Sequence, residues 1–216
     1  RSYTTFDRGQ HWMTMNGNLP RVAIHDLVIQ EREEEIVLGT HGRSIYIASL
    51  AEIHKLNDSV INAGVKIIQK NDLKFSESWG KKSDEFSKPH APAADMCYFT
   101  SSKGVASVVL KSKAGIKLVS LNDTAEYGLN YVSVPMNILP ESVTALEKEI
   151  QKNKKDKTIK LNKAEDGNYY LPVGKYQIEV KDNAGKIDIT EISITDPSAK
   201  NKSDDLPGTE PDQSFT

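Results

Sequence analysis

The side chains best suited to chemistry in the first part of the chain are His25, Asp26, His41 and Arg43. Arginine is planar and permanently charged, so Arg43 can grip a carboxylate or sugar hydroxyls through paired bonds, with Asp26 holding the guanidinium in place. His25 and His41 add ring nitrogens that donate or accept. The same residues also fit a plainer arrangement: an internal Asp26–Arg43 ion pair, with His41 satisfying backbone groups, because polar residues beside a buried strand usually bond to the structure itself. Other catalytic equipment is lacking. The sequence has no G-x-S-x-G elbow, no H-E-x-x-H helix and no phosphate loop. Cys97 is the single cysteine, which excludes an internal disulfide, a C-x-x-C redox pair and a cysteine zinc site. No catalytic residue, metal or cofactor is assigned.

The elements that must position those four residues read as short strands between turns. Residues 2–6 and 12–15 are β-prone, and Asn16-Gly17-Asn18-Leu19-Pro20 is turn chemistry. Strands are predicted at 25–30, 36–40 and 44–48, which puts His25 and Asp26 at the start of one strand and His41 and Arg43 just after another. Leu50, Ile53 and Leu56 have helical spacing, and 65–69 reads as one more strand. Residues 71–94, rich in Ser, Lys and Pro, read as a linker, with Trp79 as an anchor to a domain surface. Seven strands are predicted between 95 and 196, at 96–100, 106–111, 116–121, 130–135, 158–161, 175–181 and 186–194. That density is the pattern of an immunoglobulin-like sandwich. Leu139, Val143, Leu146 and Ile150 form one apolar stripe after Pro140 and predict a single inserted helix. Residues 197–216 have little that is apolar and are expected to be disordered. The predicted organisation is therefore 1–70, 71–94, 95–196 and 197–216.

Charge narrows the partners. The 216 residues carry 28 Lys+Arg against 30 Asp+Glu, a net charge of -2, so broad electrostatic capture of nucleic acid is not expected. No apolar run approaches the roughly 20 residues that span a bilayer. All five arginines lie within the first 43 residues and every later basic residue is lysine, which sets the two ends of the chain apart.

The sharpest local motif is Thr5-Phe6-Asp7-Arg8-Gly9-Gln10-His11-Trp12, which fits Ser/Thr-x-Asp-x-Gly-x-x-Trp at every defining position. In such a turn the aspartate accepts backbone amides, the glycine supplies a positive φ and the tryptophan packs beneath, so Thr5, Asp7, Gly9 and Trp12 read as structural. With Asn18-Leu19-Pro20, His25-Asp26-Leu27-Val28-Ile29 and Leu38-Gly39-Thr40-His41-Gly42-Arg43-Ser44-Ile45-Tyr46-Ile47, this run resembles the closing blades of bacterial Asp-box (BNR-repeat) propeller proteins, a glycosyl hydrolase-like group related to sialidases and sortilin-type receptors. Gly128-Leu129-Asn130-Tyr131-Val132 and Pro172-Val173-Gly174-Lys175-Tyr176-Gln177-Ile178 look like the sandwich that often follows such propellers.

The resemblance implies an all-β chain: partial β-propeller blades, then an Ig-like or fibronectin-III-like β-sandwich with one inserted helix. It also implies a secreted or periplasmic protein in which further, upstream blades complete the propeller. His25, Asp26, His41 and Arg43 would then stand at a mouth of the central channel, where a glycan or protein ligand binds. The expected function is non-catalytic binding or scaffolding. Its alternatives are a contributing part of a glycoside hydrolase whose carboxylates lie upstream, since such enzymes need two flanking a bond, and a purely structural spacer.

Overall fold

The computed structural model describes residues 3–6, 8–15, 22–153 and 160–198. Strand accounts for 45% and helix for 13%, so the all-β expectation holds. The chain begins with a two-residue antiparallel pair, β1 (Tyr3–Thr4) and β2 (Met13–Thr14). A three-stranded antiparallel meander follows: β3 (Ile24–Gln30), β4 (Glu35–Thr40) and β5 (Ile45–Ser49). Two short helices come next, α1 (Ala51–His54) and α2 (Asp58–Ala63). The Asn57 side chain caps α2 by accepting the Val60 amide at 3.1 Å, and Gly64 ends it at φ +81.

The remaining strands form two facing sheets. They are β6 (Val65–Lys70), β7 (Leu73–Lys74), β8 (Ala93–Thr100), β9 (Gly104–Lys111), β10 (Lys117–Ala125), β11 (Gly128–Pro135), β12 (Gly174–Lys181) and β13 (Ile187–Thr195). One sheet has the order β11-β8-β6 and the other β10-β9-β12-β13-β7. Alternation makes the core between them. Tyr176, Ile178 and Val180 of β12 are buried while their neighbours are not, and they meet Val108 and Leu110 of β9 and Met96 and Tyr98 of β8. Each large apolar side chain buried in this way contributes about 1.5–3 kcal/mol. The Tyr176 hydroxyl donates back to the Pro172 carbonyl at 2.8 Å, fixing the entry to β12. Asp182 closes the predicted hairpin turn by accepting the Lys186 amide at 2.8 Å, with Gly185 at φ +84. The helix after Pro140 forms as expected: a 3-10 turn (Pro140–Ser142) leads into α3 (Val143–Asn153), whose Val143 and Leu146 enter the core.

Two groupings differ from the sequence reading. Val65–Lys70, grouped there with the first region, pairs antiparallel with β8, from Val65 opposite Thr100 to Lys70 opposite Met96. The long-range partner decides this: Asp188 of β13 accepts the Ile67 amide at the β6 bulge (2.8 Å) and pairs with Lys66 Nζ (2.8 Å), locking β6 to the opposite sheet. The strand predicted at 158–161 is not found in its described part. Leu161 instead donates its amide to Glu147 Oε1 at 2.8 Å, while 158 and 159 lie outside the described residues, as do 199–216 of the expected disordered tail.

The 71–94 segment is also more than a linker. β7 pairs in parallel with β13, and Trp79 is buried edge-on to Phe75 at 5.1 Å between ring centroids. Trp79 is thus an anchor in the core.

The outer face of β8 is covered too. Cys97 and Phe99 form a second core with Leu129 of β11, Leu56 after α1 and Met13 of the first hairpin, packed against by Ile53, Val60 and Ile61. Gly128 permits this: its φ is +110, and a Cβ there would lie 2.8 Å from Met13 Sδ. A third core, Ile36, Leu38 and Leu50, underlies the meander, and Ile53 of α1 packs against this one as well. Among the described residues no helix is long and apolar enough to cross a membrane.

Candidate functional site

The turn that carries Thr5, Gly9 and Trp12 is closed by its own side chains. Thr5 Oγ1 accepts the Gly9 amide at 2.9 Å, and Trp12 Nε1 donates to the Gly9 carbonyl at 3.1 Å. Arg8 at φ +59 and Gly9 at φ +92 make the reversal. The indole lies 3.6 Å from where a Gly9 Cβ would stand, yet Trp12 remains 57% exposed, so one ring face packs on the turn and the other is open. Asp7 lies outside the described residues.

His25, Asp26, His41 and Arg43 all sit at one end of the meander and all are exposed. The β3–β4 register shifts between Ile24, opposite Thr40, and Asp26, opposite Gly39, leaving His25 as the extra residue of a bulge. The bulge re-aims His25 onto His41, and the two rings stack at 5.0 Å with 25° between planes. The His41 amide donates to the Ala23 carbonyl at 3.1 Å. Asp26 Oδ1 accepts the Leu27 amide at 2.8 Å, and the carboxylate-bearing Cβ lies over Gly39. Arg43 belongs to a tight reversal in which Gly42 (φ +73) and Ser44 (φ +79) take left-handed conformations. Among the described residues no ion pair joins Asp26 to Arg43, so neither expected use of Asp26, as internal partner or as a brace for the guanidinium, is formed. The Asp26 oxygen is occupied by its own backbone.

A second constellation was hidden from the sequence reading. A cavity of about 360 Å³ lies on the outer face of the β11-β8-β6 sheet beside α1. Its floor is Cys97 and Tyr131, neighbours in register on β8 and β11, and its walls include Glu52, Gln69, Asp95 and Ser133. Burial, reinforced by the Glu52 charge, pushes the Cys97 thiol up to about 12, so it stays protonated and unreactive near neutral pH. Burial, with the neighbouring Cys97 and Glu52 adding to it, also raises the Tyr131 hydroxyl. Asp95 Oδ1 accepts the Ser133 hydroxyl at 2.6 Å, and Gln69 Oε1 accepts Lys55 Nζ at 2.9 Å. The alternation of β8 and β11 signals outward-facing Cys97 and Tyr131, but Gln69 joins them only because β6 pairs with β8.

No group of three or more metal-ligating side chains comes together among the described residues. No protein-family model, curated protein or solved structure matches the chain.

Proposed function

We propose that the chain is a non-catalytic binding and scaffolding region: the closing part of a secreted or periplasmic Asp-box propeller, carried on an immunoglobulin- or fibronectin-III-like sandwich. The observation that carries this reading is the meander. Its lower face packs on Leu50 through Ile36 and Leu38, while Val28, Val37 and Ile47, in register across three strands, form an apolar upper face with Val28 57% and Ile47 63% exposed. A sheet with two apolar faces and one covering is what an end blade requires from a neighbouring blade. Three strands (β6, β8, β11) facing the β10-β9-β12-β13 set, with the Tyr176 hydroxyl tied back to Pro172, support the sandwich reading.

In this reading the stacked histidines and the free guanidinium of Arg43 face a glycan or protein ligand at the blade end. A glycan panel tests it, applied to the chain and to its Arg43→Ala and His41→Ala variants. Binding that weakens in both variants supports the blade-end site, and binding unchanged in both removes it. Turnover of any glycan by the chain would contradict the non-catalytic assignment.

A further inference from the structure

We propose that the cavity beside α1 is a separate subsite for a neutral sugar, with Tyr131 as its stacking floor and Glu52, Asp95 and Gln69 as hydroxyl partners. Its volume of about 360 Å³ falls within the roughly 300–1,000 Å³ of small-ligand sites. The lining selects the chemistry. Tyr131 is 53% exposed and stands opposite Cys97 in the β11–β8 register, so its ring is open to a ligand at the cavity. An exposed aromatic plate suits the C–H face of a pyranose ring.

Around the plate, hydrogen-bond capacity remains. Ser133 occupies one Asp95 oxygen and leaves the other, and Lys55 occupies the Gln69 carbonyl and leaves its two amide protons. The Glu52 carboxylate accepts no hydrogen bond from another described residue. Carboxylate acceptors beside amide donors match the paired donor and acceptor character of vicinal hydroxyls.

The charges exclude other ligands. Glu52 and Asp95 repel an acidic sugar or a phosphate, and Lys55 on the rim offsets part of the field that would draw in a cation. The site lies on the sandwich and does not depend on the propeller reading.

The test is titration of the whole chain with neutral, acidic and amino oligosaccharides and with a lysine-rich peptide, followed by NMR of the backbone amides. The expected result is that a neutral oligosaccharide shifts the signals of residues 95–97 and 131–133. Tyr131→Ala then weakens binding about ten-fold, the worth of one aromatic stack, and Glu52→Gln weakens it less. Tyr131 is half exposed, so its variant folds, and the conservative Glu52→Gln change gives an independent reading. Shifts confined to residues 25–43, binding indifferent to Tyr131→Ala, or no neutral sugar that binds would overturn the subsite. The first of these results leaves the blade-end reading standing. Equal or tighter binding of the acidic sugar or the basic peptide would overturn the ligand class.

Discussion

β4 and β8 are each the central strand of a three-stranded antiparallel sheet, and each carries apolar side chains on both faces. Around β8 both faces are covered: Met96 and Tyr98 by the opposite sheet, Cys97 and Phe99 by Met13, Leu56 and the two short helices. Around β4 only one is: Ile36 and Leu38 are buried, whereas Val37 stands between the exposed Val28 and Ile47. Similar strands thus owe their burial to what the rest of the chain brings to them, and β-propensity alone does not decide it. β8 sits at the centre of a doubly covered sheet, and β4 belongs to a sheet that offers a surface.

Substitutions can break or sharpen this contrast. Phe99→Ala removes a fully buried ring from the doubly covered sheet and is expected to cost about 3–5 kcal/mol, read from denaturant unfolding. Gly128→Ala demands a left-handed conformation and drives a methyl into Met13. It is expected to cost about 1–3 kcal/mol and to release the first hairpin, seen as faster amide exchange at residues 8–15. Asp188→Ala leaves the Ile67 amide at the β6 bulge without its partner and is expected to cost about 1–2 kcal/mol, with exchange rising first along β6.

Acid gives a smaller effect. Burial pushes the Asp72 carboxyl up, but hydrogen bonds from Lys70 and from the Ser193 amide outweigh it and hold Asp72 below its ordinary range. A lowered folded-state value means that its stabilisation is present above the unfolded carboxylate range and disappears as pH falls through the folded value. Asp72→Asn should therefore flatten the loss of stability below about pH 4. The smallest change is expected on the open sheet: Ile47→Lys should leave the stability of the chain within about 0.5 kcal/mol while reducing binding of a hydrophobic dye. A large destabilisation there would mean that the upper face is covered after all.

Much of this architecture was legible in the sequence, since β-branched runs, turn residues and the 3.6-residue stripe are local signals. The meander strands, the Asp182–Gly185 turn and the helix after Pro140 lie where those signals put them. What could not be read was allegiance. Val65–Lys70 looks like any strand, and its placement depends on Asp188, 121 residues beyond Ile67. The candidate sites divide the same way. The stacking of His25 on His41 follows from a single-residue bulge opposite Gly39, which no composition reveals. Arg43 and Asp26 look like partners by type, but the tight reversal at Gly42 and Ser44 leaves them without a mutual bond. The sugar cavity draws on α1, β6, β8 and β11, so it exists only once the sheet is assembled.

α1 is a single turn of helix, yet it holds two posts at once. Ile53 packs into the core beneath the meander and into the core outside β8, while the adjacent Glu52 walls the cavity. A partner that settled on the meander and shifted α1 would therefore change the cavity's wall, and by linkage a ligand in the cavity would alter that partner's affinity by the same factor. One turn of helix thereby joins the packing beneath the meander to the wall of the cavity.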